Sequence, residues 1–180
     1  MKEDKKGNHL IGYLVGSSVF LLIVPGIIFL LSLIPFPSLA FNVQPIRLVL
    51  IVIGICLFMI GVFFTFWANL DLFRIGKGGP TDLFNKAISP RSKILVTTGP
   101  FRYSRNPMVF GVNAIYISIA VFLNSTLSLL FSILFFIHVI LYLKLTEEKR
   151  LLKDFGNEFT SYKKKTSMII PLPQKKTKTT

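Results

Sequence analysis

The stretch VFGVNAIYISIAVFLNSTLSLLFSILFFIHVILYL, Val109 to Leu143, contains no lysine, arginine, aspartate or glutamate and one polar interruption, Asn124-Ser125, near its middle. As a single helix it would rise roughly 52 Å at about 1.5 Å per residue, far more than a bilayer core of about 30 Å. The break at Phe122-Leu123-Asn124-Ser125-Thr126 divides it into a short helix, about Met108 to Leu123, and a longer one, about Thr126 to Leu145. The two form a tight hairpin. Two further apolar runs precede it: Leu10 to Ile34, with no charged residue, and Ile46 to Leu70, charged only at Arg47. Pro25 is expected to kink the first, because proline removes a backbone hydrogen bond.

Composition agrees: 52% of the 180 residues are hydrophobic and mean hydropathy is +0.62. The expected fold class is an all-α polytopic membrane protein with four transmembrane helices, the last two a hairpin. The expected organisation is a cytoplasmic N-terminus (1–9), helices one and two (10–70), a core of loop, hairpin and C-terminal helix (71–171), and a disordered basic tail (172–180). Ser38-Leu39-Ala40 resembles a signal-peptidase site, but the preceding run far exceeds a signal h-region of about 7–15 residues, so the first span is expected to be retained.

Charge sets the orientation. Of the 21 basic residues, three precede the first run and one (Arg47) lies between the first two. Seven fall in Asp71–Pro107, and ten from Lys144 onward. By the positive-inside rule both termini and the long loop are cytoplasmic, in an integral, multi-pass arrangement. Much of the +13 net charge is thereby topological, with attraction to anionic membrane lipids in addition. The basic residues flank spans and accompany no nucleic-acid motif, which argues against nucleic acid as a partner. Cys56 is the only cysteine, so neither an intrachain disulfide nor a cysteine metal cluster is expected. In the loop, Gly76, Gly78, Gly79 and Pro80 mark turns without P-loop spacing, and Ile94-Leu95-Val96 reads as a short extended piece.

Two polar blocks border the hairpin. The first is Gly99-Pro100-Phe101-Arg102-Tyr103-Ser104-Arg105-Asn106-Pro107-Met108. Pro107 suits the first turn of a helix, Asn106 can cap it or bind a ligand, and the helix N-terminus suits an anion. Arg102 and Arg105 can offer paired donors to a carboxylate or phosphate, or can simply snorkel to lipid phosphates. The second block holds Glu147-Glu148, Phe155-Gly156 and Tyr162, on a helix that continues the fourth span and breaks near Phe155-Gly156. Lys144 and Glu148 can form an ordinary i,i+4 surface pair. Alternatively one carboxylate can meet a cationic cofactor such as S-adenosylmethionine, whose own carboxylate would go to Arg105 or the helix N-terminus. His138, inside the fourth span, is either a functional group or a helix-to-helix hydrogen bond. Asn113, Ser118 and Ser132 read as interhelical contacts or small packing positions, and Trp67 as an interface anchor.

Leu95-Val96-Thr97-Thr98-Gly99 leading into Arg105-Asn106-Pro107-Met108, then Glu147-Glu148, Leu151, Phe155-Gly156, Glu158-Phe159 and Tyr162, resembles the isoprenylcysteine carboxyl methyltransferase family, particularly its prokaryotic members, and the related phospholipid N-methyltransferases. The resemblance covers Gly76 to about Pro171. It implies a cytoplasm-facing S-adenosylmethionine pocket formed by the loop and the C-terminal helix. Leu95, Val96 and Phe101 would line the adenosyl portion, Asn106, Pro107 and Met108 would contact the cofactor at the helix start, and Glu147 would close the site. Arg105 and Glu148 are its candidate catalytic residues, for orientation and charge near the transfer. No metal is implied. The acceptor would be a lipid-like or lipidated molecule, the carboxylate of a prenylated cysteine being one example. Asn106 stands where many members have histidine, Val109 where tyrosine is common, and Leu143 where a substrate-binding arginine is expected. Two other readings stand beside it: a non-catalytic membrane module that binds anionic lipid or a protein partner, and a nicotinamide-using membrane reductase, for which no dinucleotide fingerprint is present.

Overall fold

The computed structural model describes residues 14, 16, 18–39, 44–76, 82–83, 86–87, 92 and 94–174. The basic N-terminal residues, the Gly78-Gly79-Pro80 turn and the lysines of the last six positions lie outside that set. The regular elements of the described chain are helical apart from a two-residue antiparallel pair, β1 (Asp82–Leu83) with β2 (Lys86–Ala87).

Helix α1 (Val24–Ser32) follows a wider π-helical turn, Ser18–Ile23, with Pro25 in its first turn. The expected irregularity at Pro25 thus takes the form of a π turn ahead of the proline, where a missing N–H does least harm. Helix α2 (Gln44–Asp71) extends through a second π turn, Leu72–Gly76. Gly76 therefore ends a helix instead of marking a turn. Helix α3 (Pro107–Phe122) and helix α4 (Thr126–Tyr142) form the hairpin with ends close to those expected. The turn is built by Asn124, at φ 50°, and by Ser125, whose hydroxyl accepts from the Ser128 N–H and caps α4. A third π turn, Leu143–Glu147, joins α4 to α5 (Glu148–Lys165), which bends at Gly156, φ 51°. That positive φ is open to glycine and strained for side-chain-bearing residues, which explains the break read at Phe155-Gly156.

Helix α3 is the hub. Against α2 it packs backbone to backbone: a methyl group added at Gly111 would meet the Thr65 hydroxyl and, at 2.6 Å, the Gly61 carbonyl. Buried residues of α2 are Gly54, Gly61 and Ala68, one narrow stripe at seven-residue spacing, while Leu48, Val52, Phe58, Met59 and Phe66 stand exposed on its other faces. On the opposite side Tyr116 packs with Val24 and Ile28 and donates its hydroxyl to the Phe20 carbonyl at 2.8 Å. Ser128 ties α4 to α1 through the Ile28 carbonyl at 2.7 Å, and Thr126 reaches the Pro37 carbonyl at 2.6 Å.

The helical segments Gln44–Gly76 and Thr126–Lys165 are long and apolar enough to cross a membrane, and most of their surface is not covered by protein. Exposed apolar area on that scale suits lipid, not water. Ser118 and Ser132 are buried and bond back to the Ile115 and Ser128 carbonyls of their own helices. They are packing positions, and the interhelical bond comes from Ser128. His138 is exposed on α4, away from the interhelical bonds found among the described residues.

Candidate functional site

The chain after α5 turns back on itself. Residues 166–172 form a strap across the loop that opens α3, a feature with no counterpart in the sequence reading. Its hydrogen bonds are with backbone or short side chains. The Arg105 N–H donates to the Ser167 carbonyl at 2.8 Å and the Leu172 N–H to the Tyr103 carbonyl at 3.0 Å. Ser104, fully buried, donates its hydroxyl to the Ile169 carbonyl at 2.7 Å and accepts from the Asn106 N–H at 3.1 Å. Asn106 sits at the N-cap of α3 but does not cap it; its Nδ2 donates to the Met168 carbonyl at 3.0 Å. The Leu172 bond falls one residue past the boundary assigned to the core. Serine and asparagine patterns carry no fixed partner, so this strap could not have been read from spacing.

Beneath the strap the two polar blocks meet. Gly99–Arg102 forms one 3₁₀ turn, whose Phe101 carbonyl accepts the Tyr162 hydroxyl at 2.6 Å. Burial pushes the Tyr162 phenol well above its ordinary range, with the nearby Arg105 charge a smaller opposing influence. The Arg105 guanidinium pairs with the Glu148 carboxylate, each side chain only 9% exposed. Lys163 reaches the second Glu148 oxygen at 2.5 Å. Glu148 therefore joins two cations from elsewhere in the chain, and the i,i+4 alternative with Lys144 is not the pairing formed. One carboxylate between two cations leaves the cluster with net positive charge. Arg105 Nε is buried with no hydrogen-bond partner among the described residues.

Of the other expected residues, Pro107 is fully buried in the first turn of α3, Val96 is 6% exposed, and Leu95 and Phe101 are half-buried. Leu95 and Val96 are in irregular backbone and form no strand. Met108 turns to a cavity inside the helix bundle. Glu147 also stands apart: its carboxylate pairs with Arg150, which also approaches Asp154 at 3.7 Å. Among the described residues no group of three histidine, cysteine, aspartate or glutamate side chains is placed to hold a metal.

One residue, Asp71, escaped the sequence reading. Asp71 ends α2 with its carboxylate against Gly99, where a Cβ would collide with it and lie 3.2 Å from Trp67 Nε1; Gly99 holds φ 55°. The glycine thus serves both a left-handed turn and a close approach. A lone carboxylate at the end of an apolar run, followed by a strongly basic loop, was the available signal. Asn113, expected to bridge helices, instead has a buried Oδ1 with no partner among the described residues.

Neither the curated proteins nor the solved structures include a match to this chain. A family match does exist: the phospholipid methyltransferase family aligns with residues 49–158, more than half of the 180, and takes in most of α2, the Gly99–Pro107 loop, the hairpin and the Arg105–Glu148 pair. The chain belongs to the phospholipid methyltransferase family.

Proposed function

We propose that this chain is an integral-membrane, S-adenosylmethionine-dependent methyltransferase with four spans, both termini cytoplasmic, that methylates a lipid-like or lipidated acceptor. The observation that carries this reading is the union of the two polar blocks at the N-terminus of α3, where the buried Arg105–Glu148 pair and the half-exposed Lys163 form a net-positive cluster. The orphaned Arg105 Nε and the unpaired N–H groups expected at a helix start suit the donor's carboxylate. Asp71, beside Gly99, adds a carboxylate suited to a cationic or hydroxyl-bearing part of the same molecule. Family membership supports methyl transfer and a lipid-like substrate.

When bound, S-adenosylmethionine supplies a methyl group on a positively charged sulfur. The chain's own residues would orient and exclude water. Glu148 fixes the Arg105 fork, the strap holds Asn106 and Arg105 through Met168 and Ser167, and Pro107 and Val96 form dry walls. Leu95, Phe101 and Met108 belong to the proposed contact surface, with Glu147 at its margin. A carboxylate acceptor would need no base. An amine would have to be neutral, with Glu148 or Tyr103 as the candidate to receive its proton.

Isothermal titration of detergent-solubilised protein with S-adenosylhomocysteine tests the reading. Saturable binding that weakens at least tenfold in Arg105→Ala and Asn106→Ala is expected. An absence of binding by folded wild-type protein would shift the assignment to a lipid- or partner-binding membrane module.

A further inference from the structure

The strap has two faces, and only the inner one covers the site. Ile169 packs inward at 6% exposure, whereas Ile170 and Leu172 stand 61% and 52% exposed. Pro171 and Pro173 follow these two residues and bias them toward extended backbone, so no helix gathers their side chains inward. The bond from the Leu172 N–H to the Tyr103 carbonyl sets Leu172 beside Tyr103, whose ring is also exposed. Three large side chains with apolar bodies thus stand outward where the strap crosses the loop before α3. A cover alone would have no use for them.

Cations surround these side chains. From Phe159 to Thr180 the chain carries six lysines and no aspartate or glutamate. Lys163, Lys164 and Lys165 precede the apolar stretch Met168–Leu172, and Lys175, Lys176 and Lys178 follow it. Lys164, Lys165 and, on the loop, Arg102 are exposed and form no ion pair among the described residues. The helix ends give the level of this patch. Tyr103 lies four residues before Pro107, where α3 starts, and the Gly99 turn abuts Trp67 on α2. Tyrosine and tryptophan favour the headgroup layer, where the ring meets acyl chain and the polar edge meets water. An acidic protein would match the charge but would have to be recruited, and outward isoleucine and leucine want an apolar medium. Phospholipid beside α3 offers both an anion and that medium.

We propose that the outer face of the strap, Ile170 and Leu172 with Tyr103, docks into the headgroup layer of the host membrane, held there by Arg102, Lys164 and Lys165 on anionic phospholipid. The two elements act together. A few apolar side chains insert weakly, and the pull on a few cations is screened by salt, but combined they fix a segment to the surface. The inner face of the same segment bonds Ser104, Arg105 and Asn106, so docking also presses the cover onto the loop. The proposal uses the bilayer of the functional reading and not its chemistry.

The test uses the full chain in lipid nanodiscs made of phosphatidylcholine alone or with a minority of phosphatidylglycerol. Leu172→Trp in a Trp67→Phe background places a single indole on the strap, and acyl-brominated lipid reports its insertion. In anionic discs bromination should lower the emission at least about twofold. The effect should be lost in zwitterionic discs, and in anionic discs when Arg102→Gln, Lys164→Gln and Lys165→Gln are combined. An indole untouched by brominated lipid in anionic discs would overturn the proposal and leave the face to a protein partner. Equal quenching in the two discs would overturn it as well, since the cations would then hold nothing. Unsubstituted protein gives a second measurement: hydrogen exchange at residues 166–172 should be about tenfold slower in anionic discs, and equal rates would overturn the proposal whatever the variants do. Titration of the same discs with S-adenosylhomocysteine decides the methyltransferase reading separately.

Discussion

Arg105 and Glu148, 43 residues apart, form a buried ion pair that fastens the loop before α3 to the start of α5. Removing Glu148 strands the Arg105 guanidinium, whose side chain is 9% exposed, whereas removing Arg105 leaves Glu148 its bond to Lys163. Glu148→Leu should lower stability by about 3 kcal/mol, and Arg105→Leu by less, because a lone buried charge costs more than the intact pair returns. The double variant should recover part of that loss. Thermal unfolding in detergent provides the measurement; strictly additive losses would show that the two side chains are not coupled.

Tyr162 supplies a pH signature. Its phenol is held protonated by burial, so its folded pKa lies above the ordinary value near 10. The stabilisation is complete below that value and is lost as pH rises through the folded pKa, because the unfolded chain releases the proton first. Wild-type stability should therefore fall on alkaline titration above about pH 10, and less steeply in Tyr162→Phe. At neutral pH that variant should cost about 1 kcal/mol through loss of the bond to the Phe101 carbonyl. Parallel slopes for both proteins would refute the assignment.

Gly111→Ala should be destabilising by about 1–3 kcal/mol, since the new methyl meets the Gly61 carbonyl at 2.6 Å and neither backbone can move without separating α2 from α3. An alanine at Gly26, where no atom lies within 4 Å, is the control and should be tolerated. Melting temperatures of the two variants relative to wild type check this. Equal effects would mean that the close crossing does not govern stability.

Asn106→Ala should loosen the strap. Loss of the bond to the Met168 carbonyl is expected to cost about 1 kcal/mol and to speed hydrogen exchange at residues 166–172 more than within α3. Unchanged exchange across the strap would mean that the serine and backbone bonds suffice.

The helices were legible because their signal is one-dimensional. An uncharged run with Asn124-Ser125 at its middle permits few arrangements other than a hairpin, and Pro107 and Gly156 punctuate it where helical geometry requires. The pairing of Arg105 with Glu148 was not legible, although both residues were singled out, because sequence shows charges and not which face each π turn will present. At Leu143–Glu147 such a turn precedes α5, and within it Glu147 faces Arg150 while Glu148 faces the loop. The strap was hidden for another reason. It is held largely by main-chain carbonyls, which every residue possesses. The buried, unpartnered oxygens of Thr65 and Asn113 depend on how α2 and α3 cross, a property of Gly61 and Gly111 together and of neither alone.

The strap also sets the order of assembly. Asn106 and Met168 are separated by 62 residues, and Ser104 and Ile169 by 65, so these contacts must wait until every helix of the hairpin has been synthesised. A ribosome-bound chain can insert its apolar segments long before the loop before α3 acquires its cover. The loop before α3 thus acquires its cover only after α5 has been made, and a nascent chain stopped at Lys165 would carry the described helices and an unfinished site.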